Sequence, residues 1–276
     1  MAKPPSYFRT LGDAFATLKK YPQLFIPVVL SFLVSLILTP FTNRFSAEFT
    51  QDGLPSNFGV LILFLVVICI VLFIIYGWQF TILKQIFKTK KVTIRASFKS
   101  AFPMTWKIFK IGLFMTVISF LFFLALTIVT LIGVGIGTGI FKLNAVAGMV
   151  ISIILALIGF DFLLALMVLF FLAFCYLFYI MPVITLEDKG AWATIVYAYH
   201  KFRKNMGFWA KNGILTFLVI ILAEIPYFIY LFSISGFIAP PTSLSQILIS
   251  QLTTFPVVIL GLAVQIAYCF FYKGQK

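Results

Sequence analysis

The chain has 276 residues, of which 62% are hydrophobic, 18% aromatic and only 10% charged, and its mean hydropathy is +1.13. This composition excludes a soluble enzyme, a disordered basic tail and a nucleic-acid-binding domain, even though the formal net charge is +14. Because no hydrophilic stretch is long enough for a second folded domain, we expect one polytopic membrane domain over residues 1–276.

Apolar runs of helical length predict an all-α integral membrane bundle with six transmembrane helices. A helix needs about 20 apolar residues to cross a bilayer, and the runs show no strand-like alternation. The predicted spans are residues 24–38, residues 58–80, the uncharged stretch between Lys110 and Lys142, residues 145–181, residues 213–231 and residues 246–271. The third and fourth spans are longer than one crossing needs, and the sequence leaves open whether they protrude from the membrane or re-enter it.

Basic residues lie at one set of span ends. Nineteen of the 21 Lys and Arg residues precede the first span, separate the second from the third or the fourth from the fifth, or follow the sixth, whereas Arg44 and Lys142 lie on the other side. Since basic residues near span ends are retained in the cytoplasm, we expect a multi-pass protein of the cell (plasma) membrane with both termini cytoplasmic. Five or seven spans would break this segregation.

A short basic amphipathic segment precedes the first, third and fifth spans. Residues 14–20 align without gaps on residues 198–204, and residues 98–107 match them more loosely. On a helix the apolar side chains of each segment share one face, as Phe8, Leu11, Phe15 and Leu18 do in the first. The pattern predicts a threefold repeat of interfacial helix plus hairpin, over residues 6–80, 92–181 and 190–272.

These helices have two interpretations. In the first, they only cover the cytoplasmic ends of the bundle. In the second, they also bind a membrane protein partner or membrane lipids with anionic headgroups. An anionic membrane surface attracts each basic residue by about 1 kcal/mol. The candidate contacts are Lys19, Lys20, Lys99, Lys107, Lys201, Arg203 and Lys204. We expect no nucleic-acid partner and no cofactor.

Two acidic residues, Asp161 and Glu224, lie in apolar surroundings and are candidates for an intramembrane polar site. If the fourth span ends near Met181, Asp161 lies at the outer interface, whereas Glu224 lies nearer the middle of the membrane, beside Pro226. Each acid either binds an ion, a proton or a polar headgroup, or is protonated or hydrogen-bonded within the bundle.

The sequence shows no pattern typical of a catalytic or metal site. All three cysteines fall inside predicted spans, and the only histidine, His200, lies in a basic segment without a second ligand nearby. The glycine run over residues 133–139 lacks the strand and the Lys-Ser/Thr of a phosphate loop. Glu187 and Asp188 are expected to begin the following helix, where acids are favourable.

The segment over residues 181–205 carries a family resemblance. It reads Met-Pro-Val-Ile-Thr-Leu-Glu-Asp from Met181, then Gly190, Ala193 and a basic stretch that ends at Asn205. It resembles the membrane domain found beside some glycerophosphodiester phosphodiesterases and the YciC-type inner-membrane family of unknown function. The resemblance implies six spans with interleaved cytoplasmic helices. The catalysis of the phosphodiesterases is not carried over, because their soluble domain is absent from this sequence.

Together these patterns predict a non-enzymatic multi-pass membrane protein that contacts or organises lipids, or a membrane partner, through its basic interfacial helices. The alternative is a transporter or channel for a small ion or amphiphile that uses Glu224 and Asp161.

Overall fold

A computed structural model of the protein describes residues 6–52, 58–143, 168–169, 171–173, 175–234 and 244–274. This part of the chain is helical throughout and contains no strand, so the prediction of an all-α fold is confirmed for it. The helices are α1 (Tyr7–Lys20), α2 (Phe25–Asp52), α3 (Phe58–Thr89), α4 (Ile94–Lys99), α5 (Ala101–Leu143), α6 (Phe171–Leu186), α7 (Ala191–Lys204), α8 (Met206–Ile234) and α9 (Leu244–Gly274), with a 3-10 turn (Pro22–Leu24) between α1 and α2.

Five helices in the described part of the chain contain a stretch that is long and apolar enough to cross a membrane. These stretches are Pro22–Thr39, Ile62–Thr89, Ala101–Leu121, Met206–Ile229 and Leu252–Gly274. The protein is therefore a multi-pass membrane protein. Most of the predicted fourth span, with Asp161, lies outside the described residues. Its described end belongs to α6, which is a shorter apolar helix. Six spans and cytoplasmic termini stay predictions.

The buried core lies at the end of the bundle that carries the basic segments, which we call the basic end. In α3, Leu63 and Ile70 are exposed, whereas Ile82 and Leu83 are fully buried. In α9 the buried side chains run over residues 262–272. Exposed apolar side chains suit contact with lipid tails, so the spans meet lipid while the helices pack tightly at the basic end.

The basic end extends beyond the hydrocarbon layer. Helix α3 has 32 residues, so it is about 48 Å long, whereas a bilayer core is about 30 Å thick. Its large exposed apolar side chains end at Tyr76. The predicted second span ended at Phe80, but the helix continues to Thr89. It can continue because the lysines after Phe80 lie on a more exposed face, while the apolar residues between them are buried. The last turns of α3 therefore stand at the level of the headgroups.

Helix α5 is one continuous helix of 43 residues that includes the glycine run. At 1.5 Å per residue it is about 64 Å long, twice the thickness of a bilayer core. The described backbone of the third predicted span is therefore helical without a break. Protrusion and re-entry of the third and fourth spans stay the two alternatives.

A close approach joins α3 to α5 at Gly77. A Cβ atom added there would lie 2.9 Å from the carbonyl oxygen of Ala101 and would collide with the side chain of Thr105. Thr105 Oγ1 donates a hydrogen bond to the carbonyl of Phe73 across the same interface, at 3.3 Å. Small residues at such crossings let membrane helices pack backbone to backbone.

Helices α1 and α7 each bury one stripe of side chains against the bundle. In α1 the stripe that faces the core contains Tyr7, Leu11, Ala14 and Leu18, while Phe8 and Phe15 are 67% and 42% exposed. In α7 the buried stripe contains Thr194, Ala198 and Phe202, while Trp192 and Tyr199 are 62% and 53% exposed. The single apolar face expected from the sequence thus divides into a core stripe and an aromatic stripe about a quarter-turn away.

The middle basic segment differs from the other two. Residues 98–107 do not form a separate helix, because α4 ends at Lys99 and α5 begins at Ala101. The indole Nε1 of Trp78 donates to Ser97 Oγ at 2.8 Å, and Thr81 Oγ1 donates to the Ser97 carbonyl at 3.0 Å. These bonds hold the short α4 against α3.

Candidate functional site

A cavity of about 540 Å³ lies at the basic end, between α3, the start of α5 and residues 184–189. Four lysines and two acids line it, together with uncharged polar residues that include Gln85 and Ser100. The charged residues are Lys84, Lys88, Lys107, Lys189, Glu187 and Asp188. Cavities of this size in proteins commonly hold small ligands.

Lys84 and Lys88 form the α3 side of the cavity. They are four residues apart, so their side chains leave the same face of the helix. Asp188 bridges them, since its Oδ1 accepts a hydrogen bond from Lys84 Nζ and its Oδ2 accepts one from Lys88 Nζ. These two ammonium groups lower the pKa of Asp188 to about 2. The Asp188 side chain is 62% exposed, so solvent screening keeps the stabilisation by this pair small.

Lys107 forms the α5 side of the cavity. Its Nζ donates to the carbonyl oxygens of Ile184, at 3.2 Å, and Glu187, at 3.1 Å. The last carbonyls of a helix have no partner inside the helix, and α6 ends at Leu186. Lys107 therefore caps the C-terminus of α6 and supplies positive charge where the helix dipole favours it.

The carboxylate of Glu187 is hydrogen-bonded to α9. The hydroxyl of Tyr272 donates to Glu187 Oε1 at 2.5 Å and also lies 3.4 Å from the Tyr197 hydroxyl. The expectation that Glu187 and Asp188 begin the following helix is wrong, because α7 begins at Ala191 after Gly190 and has no acidic residue in its first turn. Their partners on α9 and α3 hold them in the connection before α7.

The cavity carries a surplus of positive charge. Its four ammonium groups face two carboxylates, one of which is hydrogen-bonded to Tyr272. Lys189 Nζ lies 4.7 Å from the centre of the Tyr197 ring, which attracts a cation but does not neutralise it. The site is therefore suited to an anion.

The seven predicted basic contacts fall into two groups. Six are exposed and lie at the C-terminal ends of α1, α4 and α7, where basic residues also suit the helix dipole: Lys19, Lys20, Lys99, Lys201, Arg203 and Lys204. Lys107 is half-buried and belongs to the cavity. The sequence did not single out Lys84 and Lys88, although their spacing of four residues at the end of an apolar run was a usable sign.

Glu224 lies in α8, half-buried, two residues before Pro226, which the helix includes without ending. Asp161 lies outside the described residues, so the structure does not bring the two acids together. Within the described ranges no three His, Cys, Asp or Glu residues cluster as metal ligands would. A role for Glu224 stays a prediction.

A buried chain of hydroxyl groups fixes α1 to the bundle. The Tyr7 hydroxyl lies 2.9 Å from Thr216 Oγ1 of α8, which lies 3.2 Å from the Tyr268 hydroxyl of α9. Burial raises the pKa of Tyr7, so its hydroxyl stays protonated and able to donate. The ring of Tyr7 also stacks on Phe271, with centroids 6.1 Å apart. Helix α1 is thus held in place while its basic last turn remains exposed.

Comparison of the chain with family models, with curated proteins and with solved structures found no match.

Proposed function

We propose that the protein is a non-enzymatic multi-pass membrane protein that contacts anionic lipid headgroups through the exposed basic residues of α1, α4 and α7 at the cytoplasmic face. One observation carries this proposal. Helices α1 and α7 each bury one stripe against the bundle and expose aromatic side chains beside a basic last turn.

The exposed aromatic stripe favours a place in the membrane interface. Exposure of Phe8 and Trp192 to water would cost about 25 cal/mol for each Å² of apolar surface. At the boundary between headgroups and acyl chains, burial of the same rings is favourable, and the neighbouring lysines reach the lipid phosphates. A place in the interface therefore explains both the exposed aromatic side chains and the basic last turn of each helix.

We infer that the three units are a structural repeat. In each, a buried hydroxyl residue is followed four positions later by a fully buried alanine and then by an exposed aromatic residue. The three sets are Thr10, Ala14 and Phe15; Ser97, Ala101 and Phe102; and Thr194, Ala198 and Tyr199. The buried small residues support the same seating of each segment on the bundle, although the middle one is split between α4 and α5.

Lipid enrichment tests the proposal. The double variant Lys201→Gln/Lys204→Gln is compared with Arg44→Gln/Lys142→Gln, which changes net charge equally on the opposite predicted face. The anionic lipid retained after extraction from mixed membranes is measured by native mass spectrometry. At about 1 kcal/mol per residue, the two substitutions together should make the first variant bind anionic lipid about 30-fold less than the wild type, and the second variant should match the wild type. Equal retention by both variants would refute the proposal.

A transporter or channel is the second candidate, favoured by the half-buried carboxyl of Glu224 inside a stretch that can cross the membrane. It predicts solute flux in proteoliposomes that Glu224→Gln reduces. The lipid-contact proposal instead expects Glu224→Gln to leave anionic-lipid retention unchanged. Flux no greater than in empty vesicles would count against transport.

A further inference from the structure

We propose that the cavity between α3, α5 and residues 184–189 binds a phosphate group, and that Asp188 occupies part of this site until the phosphate displaces it. The site uses elements other than the exposed basic turns of α1, α4 and α7. It therefore stands or falls independently of the lipid contact proposed above.

The geometry of an anion site is already present. Lys84 and Lys88 converge on the two oxygens of the Asp188 carboxylate. Two oxygens of a phosphate can take the same two hydrogen bonds, because both groups present paired oxygens that bear negative charge. The side chain of Asp188 thus stands in for the ligand.

The charge balance favours an incoming anion. Asp188 accepts hydrogen bonds from Lys84 and Lys88, while Lys107 and Lys189 also line the cavity. A phosphate carries up to two negative charges and offers more acceptor oxygens than a carboxylate. It can therefore satisfy the α3 lysines and approach a third ammonium group.

Displacement of Asp188 costs little. Its side chain is 62% exposed, so water replaces the lost contacts, and exposed ion pairs of this kind are weak. It lies in the four-residue connection between α6 and α7, where no helical hydrogen bond fixes its direction. Removal of Asp188 from the two lysines leaves a site that only another anion can neutralise.

The position of the cavity admits two sources of phosphate. The last turns of α3 stand at the level of the headgroups, so the phosphate of a lipid can enter from the membrane. The volume of about 540 Å³ also leaves room for a soluble phosphate ester from the aqueous side. Both sources share the chemistry that the lysines recognise.

The first experiment measures binding of inorganic phosphate and of glycerol 3-phosphate to the full chain. The protein is held in a neutral detergent at physiological ionic strength, and binding is followed by calorimetry. In the second arm, nanodiscs of phosphatidylcholine with or without phosphatidic acid are scored for one retained lipid per chain. Saturable binding of one phosphate group per chain in either arm is the expected result, and the arm that shows it identifies the source. No saturable binding in both arms would overturn the proposal.

Variants locate the site. Lys84→Gln/Lys88→Gln should weaken the binding about tenfold or more. Lys90→Gln/Lys91→Gln is the control, because it removes the same charge from exposed residues just outside the cavity. Asp188→Asn should strengthen binding about threefold, because it removes the competitor. An equal loss in both double variants, or weaker binding by Asp188→Asn at a temperature below its melting transition, would overturn the proposal. The exposed residues of α7 are intact in every variant, so failure here leaves the lipid-contact proposal untouched.

Discussion

A methyl group added at Gly77 tests how closely α3 and α5 must approach. In Gly77→Ala the new Cβ would lie 2.9 Å from the Ala101 carbonyl oxygen, against about 3.4 Å for an ordinary contact, so the helices must separate by about 0.5 Å. The Thr105 side chain must also rotate and lose its bond to Phe73. Since Lys84 and Lys107 lie further along the same two helices, the separation also changes the cavity.

The magnitude follows from comparison with a second glycine. Overpacking of this size costs about 1–3 kcal/mol, whereas Gly to Ala inside a helix gains about 1 kcal/mol in helix propensity. Gly112→Ala in α5 has the gain in helix propensity without the overpacking, because nothing lies within 4 Å of its added Cβ. The two variants should therefore differ by about 1–3 kcal/mol, with Gly77→Ala the less stable.

Thermal unfolding in a fixed detergent measures this difference. At about 2–4 °C per kcal/mol, the melting temperature of Gly77→Ala should lie several degrees below that of Gly112→Ala. Phosphate binding, if present, should weaken in Gly77→Ala only. Equal melting temperatures would refute the reasoning, because they would show that the α3–α5 interface accepts the methyl group without cost.

Three further predictions follow from the buried hydroxyls, the aromatic stripe and the acidic bridge. Thr216→Val leaves the hydroxyls of Tyr7 and Tyr268 without their shared partner, so the free energy of unfolding should fall by about 1–3 kcal/mol, measured by denaturant titration. Trp192, kept as the sole tryptophan, should be quenched by brominated lipids; equal fluorescence in brominated and ordinary lipid would contradict an interfacial α7. The pKa of Asp188 is lowered to about 2, so its small stabilising effect is full above the unfolded pKa of about 3.9 and is lost as pH falls through 2. The melting-temperature difference between wild type and Asp188→Asn should accordingly be constant from pH 5 to pH 8 and disappear near pH 2. The charged groups around Asp188 are the lysines of α3 and α5 that line the cavity, Lys189 and the adjacent Glu187 carboxylate.

The existence of the long helices could be read from the sequence, but their ends could not. Apolar runs predicted six crossings because lipid exposure requires apolar side chains all round a helix, and five of them fall on helices that are long and apolar enough in the described part of the chain. The end of α3 was missed because Lys84 and Lys88 were counted as flanking charges, although Ile86 and Phe87 between them are buried. Charge on one face of a helix does not end it when the other face is packed.

Burial in α1 and α7 follows the alignment of their two sequences, while the repeat itself stays a proposal. Ala14 and Ala198 align in the sequence, and both are fully buried. The cavity was not readable. Lys88 and Asp188 are separated by 100 residues, and no local pattern indicates that the connection before α7 returns to α3. Such a site depends on how the helices pack, which a single sequence does not specify.

The hydroxyl chain from Tyr7 to Thr216 and Tyr268 has a consequence for biogenesis. Tyr7 is made before its partner Thr216, which follows 209 residues later, and before Tyr268, which follows later still. Helix α1 therefore cannot take its final place until α8 and α9 have been made. During that time its amphipathic character lets it rest on the membrane surface beside the growing bundle. Helix α1 is thus made long before the two helices that fix it, and it docks only when α8 and α9 arrive.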